Sequence, residues 1–246
     1  MDKQAVGIVQ EFLKMYYAIG SITIKPNQIY LRQFLTDNIE RGIRVLESYI
    51  ILNNIAVNNC FEHPIGIMLR SALNDYIVFA FYCNESKVNN IIDYDLLETK
   101  IKEQTLAPLN KYKKDSEFVE HYKDFYNYKD NGEIKTFNEL KGIMKKAPQN
   151  AKNYNDRFLK NVVNLWDWYS KYEHYGIFTP LFYKENDNIV RQNNSVFFIM
   201  QNIFYSLMAF VDMGADNIEV NNFSENIVEL FKRYSEATYM EVPTTL

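Results

Sequence analysis

The chain has 246 residues, 24% of them charged, with a formal net charge of −4 and a pI near 5.5. That balance excludes nucleic-acid binding by bulk charge, which needs many Lys and Arg set against phosphates. Two cysteines, Cys60 and Cys83, exclude a disulfide framework and a zinc site of CxxC spacing, so a reduced, cytoplasmic compartment is expected.

With 8 Gly and 6 Pro in the whole chain, and apolar residues recurring at three and four, the expected fold is all-α. Residues 1–246 are read as a single helical domain, a bundle of about seven to nine helices. The aromatic content of 15%, beside frequent Asn, Lys and Ile, is what a low-GC genome encodes and names no ligand.

A first helix is predicted from Lys3 to Ile19, with Val6, Val9, Phe12, Leu13 and Tyr16 on one stripe. Its opening residues lack a basic region followed by an apolar run, so no signal peptide is expected. A second helix runs from Gln28 to Asn58 on Leu31, Leu35, Ile39, Ile43, Leu46 and Ile50. Its other side carries Arg32, Glu40, Arg41, Arg44 and Glu47, which reads as a solvated face.

The third helix starts at Pro64, whose fixed φ suits a first turn, and reaches Cys83. It and a later helix over 191–213 are apolar nearly all round and form the expected centre of the core. Arg70 and Asp75 interrupt the first, and Gln201, Asn202 and Asp212 the second. Charges at a bilayer centre cost about 2.5 to 3.5 kcal/mol each, so both read as bundle helices and no membrane is expected.

Residues 85–150 are more charged and are expected to form a helical insertion or peripheral subdomain, with helices over 85–131 broken near Pro108. A turn is predicted at Asp130-Asn131-Gly132. A helix from Thr136 to Lys146 follows, opened by a Thr136/Glu139 capping box and ended by a loop, Ala-Pro-Gln-Asn, at 147–150. A helix over 155–175 starts at Asn155 or Asp156 and is closed by Gly176 and Pro180. Residues 181–190 read as a loop or short hairpin, and Ser224 to Ala237 as a last amphipathic helix.

Two polar clusters stand out. Arg70, Ser71, Asn74 and Asp75 share a sector of roughly 140° on the third helix. On the helix over 155–175, Trp166, Tyr169, Ser170 and Glu173 share one face, and Asp167 and His174 the adjacent one. An uncompensated buried charge costs several kcal/mol, so the clusters are expected to answer each other. Antiparallel packing would bring Arg70 to Glu173, and Tyr169 and His174 to Asn74 or Asp75.

Such a network either fixes helix register or forms a binding site, made of Arg70, Ser71, Asn74, Asp75, Asp167, Tyr169, Ser170, Glu173 and His174. Were it catalytic, His174 would be the acid–base and Arg70 its cationic partner. His63 reads as a cap-region residue and His121 as part of a solvated face. The sequence has no HExxH, no repeated ExxH and no Asp-rich calcium loop, and no metal is expected. Gly-rich phosphate loops and GxSxG are also absent, so no cofactor is expected.

The third helix, reading LRSALNDYIVFAFY, together with the later WYSKYEHYG, resembles bacterial all-helical proteins of the HEPN-like kind. In these an Arg-Ser on one core helix accompanies a late Ser-x-x-x-His, matched here by Arg70, Ser71, Ser170 and His174. The resemblance implies a helical bundle, dimeric, with a place in defence or toxin–antitoxin systems. Catalytic HEPN domains carry Arg followed after four to six residues by His on one helix, and Arg70, Arg157 and Arg191 all lack that spacing. The expected function is a non-enzymatic helical module that binds a protein partner or small ligand at the polar cluster. A metal-independent ribonuclease and a purely structural homodimer are the alternatives, with RNA the less favoured partner.

Overall fold

A computed structural model describes residues 3–20, 22, 28–55, 62–106, 117, 120, 140–173, 187–215 and 218–238. Regular structure among them comprises α1 (Lys3–Ala18), α2 (Ile29–Ile55), α3 (Glu62–Glu85), a hairpin of β1 (Lys87–Val88) and β2 (Ile91–Ile92), and α4 (Tyr94–Leu106). After these come α5 (Leu140–Asn153), α6 (Arg157–Glu173), α7 (Asp187–Asp212) and α8 (Ile218–Thr238). The fold is an all-α bundle of several helices, as its periodicity predicts.

α3 lies at the centre and packs against α2, α4, α5, α6 and α7, while α7 packs against α2, α3, α6 and α8. Leu69, Leu73 and Ile77 on α3, with Val196, Met200, Ile203 and Leu207 on α7, are fully buried. Burying one such side chain stabilises by about 1.5 to 3 kcal/mol, which is why the two most apolar helices take the middle. Residues 189–212 are long and apolar enough to cross a membrane. However, 72% of their most apolar window is buried against the other helices.

α2 and α7 approach closely at Gly42, where a Cβ would stand 2.9 Å from Ile203 Cγ1. The start of α2 is capped from another helix, as Glu98 of α4 accepts the backbone N–H groups of Tyr30 and Leu31 at 3.2 and 2.5 Å. Those donors have no partner within their own helix. α1 is tied to α8 through Glu11 and Arg233, which meet at 2.9 and 2.5 Å.

Four elements differ from expectation. α5 runs straight through 147–150, where a loop was predicted, with Pro148 on its outer side. Ile143, Ala147 and Ala151 form a buried stripe at helical spacing against α3 and α6, and that burial outweighs the hydrogen bond Pro148 cannot donate. The break comes later, at Asn155, which adopts φ 53°. There Asn155 N–H bonds to Lys152 O at 3.2 Å and Asp156 N–H to Ala151 O at 2.7 Å, closing α5 with a left-handed cap.

Asp156 then opens α6, its Oδ1 accepting the Leu159 N–H at 2.9 Å, in agreement with the predicted start. α7 begins at Asp187, so the end of the expected 181–190 loop is helical, and α8 begins at Ile218 because Val220 and Phe223 extend its buried stripe.

The fourth difference is the hairpin, which occupies 87–92 where helix was expected. Asn89 and Asn90 take φ of 52° and 65°, the pair of positive angles a two-residue type I′ turn requires. Pro108, the 130–132 turn, the Thr136/Glu139 box and Gly176–Pro180 lie outside the described residues.

Candidate functional site

α3 and α6 pack antiparallel, since the Arg70 guanidinium lies 4.5 Å over the Trp166 ring while Asn84 bonds to Asp156 at 3.0 Å. This is the arrangement on which the expected polar contact depends. Asp75, however, is met from α2. Arg41 donates Nε to its Oδ2 at 2.7 Å and Nη2 to its Oδ1 at 3.0 Å. Burial raises the Asp75 carboxyl above its ordinary range, and the Arg41 bond pulls it partly back.

Ser71 and Asp167 are exposed, and Ser170 Oγ turns back to the Asp167 carbonyl at 2.6 Å. Tyr169 is buried, with its Oη 3.2 Å from Ser195 Oγ of α7. Asn74 Oδ1 is buried without a hydrogen-bond partner among the described residues. The Glu173 side chain and all of His174 lie outside the described residues, as do the His63 side chain and His121.

Arg41 was read as part of a solvated face, and its role is the one that sequence reasoning missed. A signal was present: Arg41 and Asp75 are equally distant from residue 58, so a symmetric α2–α3 hairpin sets them opposite each other.

A cavity of about 320 Å³ opens at the C-terminal end of α3, between α3, α6, α7 and the hairpin. That volume falls at the low end of small-molecule sites. From α7, Asn202, Tyr205, Ala209 and Asp212 face it at spacings of three, four and three, one stripe of the helix. α3 contributes Tyr76, Ala80 and Cys83 at spacings of four and three. Ala80 and Ala209 sit midway along their stripes, and the hollow is the space that larger side chains there would fill. Phe158 of α6, with Ile92 and Tyr94 beyond α3, completes the wall.

Its polar groups are mostly held in place by one another. Asn84 Nδ2 donates to Asp156 Oδ2 at 3.0 Å and to Asn150 Oδ1 at 3.0 Å, and Lys87 Nζ donates to Asn84 Oδ1 at 2.8 Å. Tyr94 Oη donates to Asp212 Oδ2 at 2.7 Å. Asn202 differs: it is 3% exposed, it lines the cavity, and its buried Oδ1 has no hydrogen-bond partner among the described residues. Leaving a buried acceptor unmet costs about 1 to 3 kcal/mol, and Asn74 Oδ1 and Gln201 Oε1 are buried in the same way.

Burial pushes the Cys83 thiol up to about 12, with Lys87 opposing and Asp156 adding to the rise. Burial likewise raises the Tyr76, Tyr205 and Tyr94 hydroxyls, the last further through its bond to Asp212. At neutral pH these groups are therefore neutral, and the cavity's formal charges are Lys87 against Asp156 and Asp212. The thiol is a poor nucleophile in this state.

Among the described residues no group of three or more His, Cys, Asp or Glu is placed to hold a metal ion. No family model matches the chain, and neither a curated protein nor a solved structure matches it. The likeness to HEPN-like proteins accordingly rests on the two short motifs alone.

Proposed function

We propose that the protein is a cytoplasmic, non-enzymatic helical module that binds a small molecule in the cavity between α3 and α7. One observation carries the reading: a hollow of about 320 Å³ whose wall is built mainly from aromatic and aliphatic side chains, among them Tyr76, Phe79, Ala80, Phe158, Tyr205 and Ala209. Core packing leaves few voids larger than a water molecule, so a hollow of this size between packed helices stands out. An occupant with an apolar body would gain the packing contacts that the hollow lacks. The neutral thiol and hydroxyls favour binding over chemistry, because burial holds the proton on each of them.

A thermal-shift panel of small molecules of mixed charge tests this. A compound that binds the folded state stabilises by about 2.7 kcal/mol at a hundred times its Kd. At least one compound is expected to raise Tm in proportion to the logarithm of its concentration, and Ala80→Leu and Ala209→Leu to abolish the shift while keeping wild-type helicity. A panel without hits, or shifts that survive both filled variants, overturns the reading.

A further inference from the structure

Away from the cavity, the outward side of α5 and of the first two turns of α6 is at odds with the charge of the chain. Between residues 141 and 164 stand six cations, Lys141, Lys145, Lys146, Lys152, Arg157 and Lys160, against one acid, Asp156, although the whole chain carries −4. All six cations are exposed. Both oxygens of Asp156 are taken, Oδ1 by the Leu159 N–H and Oδ2 by Asn84. Glu85 of α3 is bound on the inner side of α5, where it accepts Nδ2 of the buried Asn150 at 2.7 Å. The remaining exposed residues of the stretch are the amides Gln149, Asn153, Asn155, Asn161 and Asn164, with Pro148 and Tyr154; none is acidic.

Helical spacing puts these groups in order. At about 100° per residue, Lys141, Lys145 and Lys152 fall within about 40° of one line and span about 16 Å of axis, turned away from the buried Ile143, Ala147 and Ala151. α5 and α6 pack against each other and both against α3, so the Arg157 and Lys160 side of α6 adjoins that row. Stability does not account for these cations. Arg157 and Lys160 stand in the first turn of α6, where the helix dipole disfavours positive charge. Among the described residues no ion pair holds Lys141, Lys145, Lys152, Arg157 or Lys160.

We infer that this face docks a nucleic-acid duplex by its phosphate backbone, without reading sequence. A duplex carries one negative charge per about 1.7 Å of axis, and the α5 row matches about five base pairs of it in length. Lys, Arg and side-chain amides are the groups that contact phosphate oxygens. A bilayer would be met with inserted aliphatic side chains, which the exposed residues of this face lack. A single strand would be met with several exposed rings, where only Tyr154 is offered. The negative charge of the rest of the chain confines binding to this face.

Fluorescence anisotropy of the full chain with a labelled duplex of about 20 base pairs tests the assignment. At about 50 mM KCl a micromolar Kd is expected, weakening about a hundredfold by about 200 mM, as roughly four phosphate contacts require. The triple variant Lys141→Gln/Lys145→Gln/Lys152→Gln is expected to keep wild-type helicity, to bind at least about tenfold more weakly and to lower the log–log salt slope by about three. Lys3→Gln/Lys14→Gln/Lys232→Gln makes the same change in net charge from exposed sites on α1 and α8, and is expected to bind as the wild type does. The single strand of equal length is expected to bind several-fold more weakly than the duplex.

No duplex binding at about 50 mM KCl, equal losses from the two triple variants, or a single strand bound as tightly as the duplex overturns the proposal. So does co-sedimentation with phosphatidylserine vesicles that the α5 variant abolishes, which would make the anionic partner a membrane. The cavity is untouched by any of these outcomes, its own test being the compound panel.

Discussion

Arg41 of α2 grips Asp75 of α3 at two points, Nε to Oδ2 at 2.7 Å and Nη2 to Oδ1 at 3.0 Å. The same guanidinium reaches back to Asn38 Oδ1 on its own helix at 3.3 Å, and Asn38 is fully buried. Two-point geometry fixes direction as well as distance, so this pair sets the register of the α2–α3 hairpin. The Asp75 side chain is 18% exposed and that of Arg41 48%, so the carboxylate bears most of the desolvation.

Removing the two partners is expected to have unequal effects. Arg41→Ala leaves a desolvated carboxylate without its cation and should cost about 1 to 2 kcal/mol at pH 7, below the buried-pair value because Arg41 is half in water. Asp75→Asn keeps an acceptor and removes the charge, and should cost under about 1 kcal/mol. The folded-state pKa of Asp75 is raised, so its linkage contribution is present below the unfolded carboxyl pKa and is lost as pH rises through the folded value. Losing Arg41 raises that value further, so the cost of Arg41→Ala should shrink toward acid pH. Urea unfolding at pH 4 and pH 7 checks both points, and equal costs for the two variants would contradict the assignment.

Gly42 and Gly7 predict opposite signs for the same substitution. A Cβ at Gly42 would stand 2.9 and 3.0 Å from the Cγ1 and Cδ1 atoms of the fully buried Ile203, so Gly42→Ala forces α2 and α7 apart. A loss of about 1 to 2 kcal/mol is expected, net of the helix-propensity gain, with partial recovery on adding Ile203→Val. At Gly7 a Cβ meets nothing within 4 Å, and Gly7→Ala should stabilise α1 by up to about 1 kcal/mol. Thermal melts of the three variants decide it.

The Cys83 thiol should resist alkylation until the chain opens. With its pKa near 12, the thiolate is about one part in ten thousand at pH 8, against roughly a quarter for an unfolded cysteine. In a Cys60→Ser background, iodoacetamide labelling should therefore rise about a thousandfold in denaturant and tenfold per pH unit from 8 to 10 in the folded state. Because this pKa is raised on folding, the linked stability is lost as pH climbs from the unfolded thiol value toward about 12. Rapid labelling at pH 8 in native buffer would place the sulfur in a far more polar setting than the cavity wall.

What the sequence made legible was periodic. The stripes of α2, α3 and α7 follow from spacing, as do the Asp156 cap and the end of α7 at Gly214. That glycine takes φ 90° while the N–H groups of Gly214 and Ala215 close on Val211 and Phe210, each at 2.9 Å. The pairing of helices was not periodic and could not be read so directly. Asp75 was visible as a charge needing an answer, but whether α2 or α6 supplied it depended on how neighbouring helices pack. The cavity was hidden for a related reason: Ala80 and Ala209 are ordinary helix residues, and only their juxtaposition leaves a hollow. The Asn89-Asn90 turn was the one local signal passed over, its type I′ preference outweighed by the helical spacing around it.

Pro148 marks where local chemistry and packing disagree, and it offers the last test. The residue lies exposed within α5, where its ring nitrogen cannot donate to the carbonyl four residues back, at Met144. Pro148→Ala restores that bond and relieves the ring contact, terms worth about 3 kcal/mol together in a free helix. Two effects reduce the gain: α5 is already held by its buried stripe, and alanine enlarges the conformational freedom of the unfolded chain by about 0.4 to 1 kcal/mol. A net stabilisation of about 1 to 2 kcal/mol is expected in urea unfolding, with protection from hydrogen exchange gained at residue 148 and across the last turn of α5. If the substitution is neutral or destabilising, the proline is helping to place the Asn155 and Asp156 caps, and the α5–α6 junction owes its geometry to Pro148 as well as to them.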